Sequence, residues 1–300
     1  MDMKQTPREL RTWHMDSRRW ADYRPRSGDV IVGTYPKCGT TWTQQIVSLL
    51  IFQSPEPRPI TAIAPWIDFR GGPPAATVLE TIEAQAHRRS LKTHLPLDAL
   101  PYHEEVRYIH VARDGLDAFM SWHNHTRGYK RMHLLDAAGE GDETIGRPYP
   151  RPAADPRAFF HDWMGLNPAT ETDVSASTFF DTERTWWAAR NNPNMLMVHY
   201  AELKADLDGQ MRRIANFLGI EAPKSLWPQL VEAATFEAMR REGKSLMPTA
   251  DAAFEGGHEG FLFQARNERW RDVLTDEDIT LYRTTAAREL PADLNTWLSR

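Results

Sequence analysis

Thr34-Tyr35-Pro36-Lys37-Cys38-Gly39-Thr40-Thr41-Trp42 lies between an apolar run, Val30 to Val32, and a helical pattern carried by Trp42, Ile46, Leu49 and Leu50. The stretch reads as a strand that stops at a turn and restarts as a helix. Such a junction leaves backbone N–H groups unpaired at the positive end of the helix dipole, where phosphates bind. Gly39 permits close backbone approach, Lys37 brings an ammonium, and Thr40 and Thr41 bring hydroxyls to the same small volume. The spacing differs from the ordinary nucleotide loop. Cys38 stands where the second glycine belongs, and the lysine precedes Gly39 instead of following it. A lysine on the turn is placed for an oxygen bridging two groups rather than for a terminal triphosphate. Taken alone, the loop also reads as an ordinary strand, turn and helix with a surface lysine.

Outward from this loop, strand-like runs at Val30 to Thr34, Ser90 to Thr93, Val106 to Ala112 and Met195 to Tyr200 alternate with helical patterns. This predicts an α/β fold: a P-loop-like parallel sheet with helices on both faces. Ligands of such sheets bind beyond the carboxyl ends of the strands. Lys37, His94, Arg113 and Tyr200 fall at or just after the ends of the four runs, which brings them to one edge. A single domain over 1–300 is expected, with two elaborations. Residues 126–178 are rich in Gly, Pro, Asp and Ser and read as an irregular insertion that shapes an acceptor pocket; residues 243–268 read as a mobile lid. From Asp206 to Leu218 a stripe of Leu207, Met211, Ile214 and Leu218 predicts a packing helix ended by Gly219.

Composition narrows the function classes. Thirty-six basic against forty-one acidic residues give a net charge of -5, so no global field draws the chain to nucleic acid or anionic lipid, and anion binding must be local. The start mixes Lys4, Arg8, Glu9, Arg11, Arg18 and Arg19 with little apolar continuity, and Ile46 to Phe52 is too short to span a bilayer. A cytoplasmic location without membrane association is the expectation. The single cysteine leaves no internal disulfide and no cysteine-based metal site, and no metal is expected. His123-Asn124-His125 lacks carboxylate or cysteine partners nearby and reads as structural or pocket lining.

The loop with Trp42, the segment Lys92-Thr93-His94-Leu95-Pro96, and Arg113 with Ser121 eight residues on resemble the signature set of the soluble sulfotransferases that use 3'-phosphoadenylyl sulfate (PAPS). Met197-Val198-His199-Tyr200-Ala201-Glu202-Leu203, Ile214-Ala215-Asn216-Phe217-Leu218-Gly219 and Asn267-Glu268-Arg269-Trp270-Arg271 extend the likeness over most of Gly28 to Arg271. The resemblance implies transfer of a sulfuryl group from PAPS, as co-substrate, to the hydroxyl of a small phenol or apolar alcohol. It implies that His94 takes the acceptor proton, that Lys37 reaches the bridging oxygen and that Lys92 reaches the sulfonate or 5'-phosphate. The backbone of Cys38, Gly39, Thr40, Thr41 and Trp42 is expected at the 5'-phosphate, and Arg113 with Ser121 at the 3'-phosphate. Trp42 and Phe236 are candidates to sandwich the adenine, with Tyr200 at its edge; plain core packing is the other reading of both aromatics.

The sequence also departs from the family. The usual Arg-Lys-Gly clamp on the 3'-phosphate is replaced by Phe263-Gln264-Ala265, which leaves Arg266, one position beyond the register, as the substitute. Ala234 stands where threonine is common. Cys38 replaces a serine, and a thiol at a helix N-terminus beside Lys37 is expected to be acidic and reactive. Two rival functions are a magnesium-dependent P-loop nucleotide kinase or NTPase, and a relative that binds the product nucleotide without catalysis. Neither the natural acceptor nor the oligomeric state is legible.

Overall fold

The computed structural model describes residues 6–300. Four parallel strands, β1 (Val30–Gly33), β2 (Ser90–Thr93), β3 (Arg107–Ala112) and β4 (Met195–His199), lie in the order β2-β1-β3-β4. β1 is central: Val30 pairs with Ser90 on one side and Arg107 on the other, and Tyr108 pairs with Met195. The period of two along a strand sends alternate residues to opposite faces. Val30, Val32 and Ile109 join a core with Ile46, Leu50 and Ile214. Ile31 and Tyr108 face the other way, against Leu91, Ile82 and Trp186. Helices therefore cover both faces, as the apolar runs require.

The strand starts are fastened by a buried ion pair. Arg89, 1% exposed, grips Asp29, whose carboxylate also accepts from the Tyr23 hydroxyl at 2.6 Å. At the other end of β1, Gly33 meets the Trp186 indole face, and a Cβ there would land inside the ring. Trp186 is held in place by its Nε1–H, which donates to the Leu95 carbonyl at 3.1 Å. It rides on the helix Ala176–Ala188, opened by a capping box of Ser175 and Thr178. The helix Leu207–Leu218 buries Met211, Ile214 and Leu218 and ends at Gly219 in the left-handed conformation, as its stripe predicts.

The stretch 126–178 differs from the irregular insertion expected of it. It holds the helices Met132–Glu140 and Pro156–Trp163, the second capped by the Asp155 carboxylate and begun by a proline at its first turn. High Gly, Pro and Asp content marks the caps between these helices, not an absence of helix. Residues 243–268 form short helical pieces, Gly243–Leu246, Ala250–Ala253 and Gly257–Phe261, followed by an irregular strap. Lys130 N–H to the Ala253 carbonyl at 2.9 Å and Glu255 N–H to the Gly128 carbonyl at 2.8 Å tie them to the end of the helix Gly115–Gly128. No described helix is long and apolar enough to cross a membrane.

Gly33→Ala is expected to destabilise the fold by about 1 to 3 kcal/mol, the usual cost of forcing atoms into a filled core. Chemical denaturation of the two proteins measures it.

Candidate active site

The loop after β1 is shaped by two residues in the left-handed region, Lys37 at φ 70° and Gly39 at φ 111°. The first is a strained position for a side-chain-bearing residue; the second needs glycine, because a Cβ would come within 2.9 Å of Tyr200 Cδ2. The helix Thr40–Phe52 starts immediately, and its first internal bond runs from Thr43 N–H to the Gly39 carbonyl at 3.0 Å. The amide hydrogens of Gly39, Thr40, Thr41 and Trp42 are left at the mouth of the helix. Cys38 N–H instead donates to the Tyr35 carbonyl at 3.3 Å.

Cys38 is not the reactive thiol expected of it. Its side chain is fully buried with Tyr35, Ala112 and Leu116, and burial pushes the thiol well above its ordinary pKa. The helix-dipole argument holds only for a sulfur that reaches the helix mouth, and here the turn rotates it into the core.

His94, just past β2, is anchored through Nδ1, 2.8 Å from the Thr34 carbonyl oxygen and 3.2 Å from its hydroxyl. A carbonyl only accepts, so Nδ1 carries the proton and Nε2 is left with a free lone pair. The Thr34 hydroxyl also meets that of Thr40 at 2.6 Å, linking the histidine to the anion loop. Burial, then the charge of Lys92, hold His94 well below its ordinary pKa, so the ring is neutral near physiological pH. Lys92 Nζ lies 4.1 Å from the Trp66 ring centroid, and Trp66 meets His94 edge-on at 4.9 Å.

The Lys37 chain is partly open to the cavity, but its ammonium is enclosed by protein. Nζ lies 4.3 Å from the Phe261 ring centroid and 3.3 Å from His125 Nδ1. Desolvation, with the charges of Lys92 and Arg113, lowers Lys37 to about 7; desolvation lowers Lys92 to about 8. Arg113, just past β3, donates from Nη2 to Asn267 Oδ1 at 2.7 Å and from Nη1 to the Lys37 carbonyl at 3.4 Å. Its guanidinium stacks 4.3 Å over the Tyr200 ring, while Nε is buried without a hydrogen-bond partner. The neighbouring backbone is pinned as well, since Asp117 accepts from Glu268 N–H at 2.6 Å.

Lys37, Lys92, His94, Arg113, His125 and Tyr200 border one cavity of about 1320 Å³. Ser121 lines it two turns along the helix Gly115–Gly128, on the face shared by Asp117, Asn124 and His125. Trp42 lines it too, oriented by a 2.7 Å bond from Nε1–H to the Ala234 carbonyl and by edge contact with Tyr200 at 5.6 Å; Phe236 stands on the same rim. Arg266 lies at the mouth, its side chain 62% exposed and paired with Asp272 at 3.3 Å. The family resemblance covers Asn267 to Arg271, yet it does not single out Arg269 or Asn267 as site residues. Arg269 is half-buried on the cavity wall, stacked 4.9 Å over Phe263, and depressed by burial and by the charges of Arg113 and Arg266.

A parallel-sheet edge that gathers lysines and arginines around a helix mouth, with a neutral histidine beside it, is the working end of a group-transfer enzyme for anionic donors. The profile of the Sulfotransferase domain family matches residues 27–290. The chain is 33% identical over 298 residues to a glycolipid sulfotransferase of Mycobacterium tuberculosis, a match spanning 94% of this chain and 91% of that protein. It is 28% identical over 220 residues to rat sulfotransferase 1A1, covering 71% and 67% of the two chains. Among solved structures, retinol dehydratase in complex with androsterone and the inactive cofactor PAP superposes with a TM-score of 0.70 at 21% identity, over 92% of this chain and 84% of that one. The chain belongs to the PAPS-dependent sulfotransferase family, an assignment that displaces the kinase and NTPase alternative.

A lysine lowered to about 7 is mostly uncharged at higher pH and must take up a proton to meet a polyanion. Affinity for the product nucleotide, 3'-phosphoadenosine 5'-phosphate (PAP), is therefore expected to fall as pH rises from about 6 to about 9, with proton uptake on binding. Lys37→Met should weaken that dependence, leaving the share of Lys92 at higher pH. Calorimetry in buffers of different ionisation enthalpy reads both quantities.

Proposed function

We propose that this protein moves a sulfuryl group from PAPS to a hydroxyl carried on an apolar body, with His94 as base and Lys37 at the leaving oxygen. The observation that carries the reading is the fixed tautomer of His94. With Nδ1 committed to the Thr34 carbonyl, only Nε2 remains to accept a proton from a hydroxyl in the cavity. The acceptor oxygen attacks sulfur, the bond from sulfur to the 5'-phosphate oxygen breaks, and His94 keeps the proton. Lys37 neutralises the charge gathering on the departing phosphate oxygen, and Lys92 faces the transferred group. A sulfuryl group carries less charge than a phosphoryl group, so two ammonium groups suffice where phosphoryl transfer calls on a metal.

The amides of Gly39, Thr40, Thr41 and Trp42 would take the 5'-phosphate. Arg113, Ser121 and Arg269 would take the 3'-phosphate; Arg269, half-buried on the cavity wall, is better placed for this than the exposed Arg266. Trp42 and Phe236 would enclose the adenine, with Tyr200 beside it. The remaining wall is apolar, with Phe69, Met120, Trp122, Leu135 and Phe254 among its side chains, which favours an acceptor with a sizeable hydrocarbon portion. The names of the relatives agree with this, one set being named for glycolipids and the retinol dehydratase structures for androsterone and retinol. A cytoplasmic setting accompanies the proposal.

His94→Ala is expected to lower kcat by about 10² to 10⁴, the usual worth of a positioned base, while PAP affinity by calorimetry stays within a few-fold. Turnover of the variant equal to wild type would remove His94 from the chemistry.

A further inference from the structure

A second histidine stands on the cavity wall, and the chemistry above does not use it. His14, 8% exposed, is held by Asp173 twice: its backbone N–H donates to Oδ2 at 2.9 Å, and its Nδ1 lies 2.7 Å from Oδ1. Trp122 and Tyr149 pack edge-on against the ring at 5.7 and 5.1 Å. Asp173 is itself buried; burial would raise its carboxyl, but its interaction with His14 outweighs that and holds it below its ordinary pKa. A carboxylate only accepts, so the ring proton sits on Nδ1 and Nε2 is the nitrogen left to accept. Nε2 has no hydrogen-bond partner among the described residues, and it is not among their sealed, unpartnered buried atoms, so it opens to the cavity that His14 lines. The ring also stands close to those of His94 and His125.

An acceptor that opens onto an aromatic wall is better matched by a ligand that donates to it than by one that leaves it unpaired. An anionic ligand group would be repelled by Asp173 and would need a charged ring; a neutral O–H donor satisfies Nε2 without either condition. We infer that His14 and Asp173 form a second hydroxyl-binding dyad, and that the acceptor carries at least two hydroxyls, one delivered to His94 for transfer and another held by His14. The inference rests on the sulfuryl-transfer reading and adds the substrate class to it. His14 takes no part in bond making; it gives no proton to the acceptor and removes none, and it fixes how a multiply hydroxylated apolar molecule lies in the cavity.

Two matched pairs of acceptors test this: octyl glucoside against octanol, and a steroid diol against the steroid bearing one of those hydroxyls. Each is assayed with PAPS and wild type, His14→Phe and Asp173→Asn, with PAP binding checked by calorimetry to establish that each variant is folded. Wild type is expected to favour the multiply hydroxylated member of at least one pair by about tenfold in kcat/KM, the order expected of one well-made hydrogen bond, and both variants to bring that ratio close to one. A purely structural dyad would lower activity on both members of a pair alike and leave the ratio where it was. That result, or a wild-type ratio near one in both pairs, overturns the role of His14 while leaving sulfuryl transfer standing. Absence of PAPS-dependent transfer to any of the four compounds, with PAP still bound, overturns the proposed function and this inference with it.

Discussion

The turn between β1 and its helix is the constraint on which the rest of the site depends. Lys37 and Gly39 both take left-handed backbone conformations, and that reversal aims the amides of the helix mouth outward. The strain at Lys37 is held by contacts from elsewhere in the chain: Arg113 from β3 takes its carbonyl, while Phe261 and His125 enclose its ammonium. Tyr200, the residue after β4, occupies the space that a Cβ on Gly39 would need, and Thr34 passes the constraint on to His94 beside β2. The ends of all four strands thus meet on one turn.

Electrostatically the site is poorly satisfied as it stands. Lys37, Lys92, Arg113 and Arg269 crowd a cavity in a chain whose net charge is negative, and little acid is set against them there. Asp117 approaches Arg113 Nε only to 4.0 Å, and Asp68, near Lys92, is occupied by the indole N–H groups of Trp20 and Trp66. The fall of Lys37 to about 7 records first its desolvation and then that crowding, since an ammonium that gives up its proton so readily is poorly stabilised where it sits. A ligand with several negative charges would relieve this repulsion. Burial, together with the charge of Lys92, keeps His94 neutral beside this cluster.

Much of the fold is legible in the sequence because strand signals are local. Four short apolar runs mark β1 to β4 within a residue or two at each end, and residues just after parallel strands necessarily share an edge. Arg113 and His94 are visible for that reason. Arg269 is visible in principle, inside a segment that resembles the family, but nothing in sequence says which of several arginines turns inward. His14 and Asp173 are not visible, since 159 residues separate them and neither belongs to a local pattern. The expectation for Cys38 fails because an argument from helix dipoles says nothing of which way a side chain points. The expectation for 126–178 fails because Asp, Pro and Gly mark both loops and helix ends, and here they cap helices.

The central claim is that the strand ends form a binding site for a 3'-phosphorylated adenine nucleotide despite Phe263-Gln264-Ala265. Calorimetric titration of wild type and Arg113→Ala with PAP, without added metal, tests it most directly. Tight binding by wild type that is lost in the variant is the predicted result; a wild type that does not bind PAP, or an Arg113→Ala protein that binds it equally well, would contradict the account.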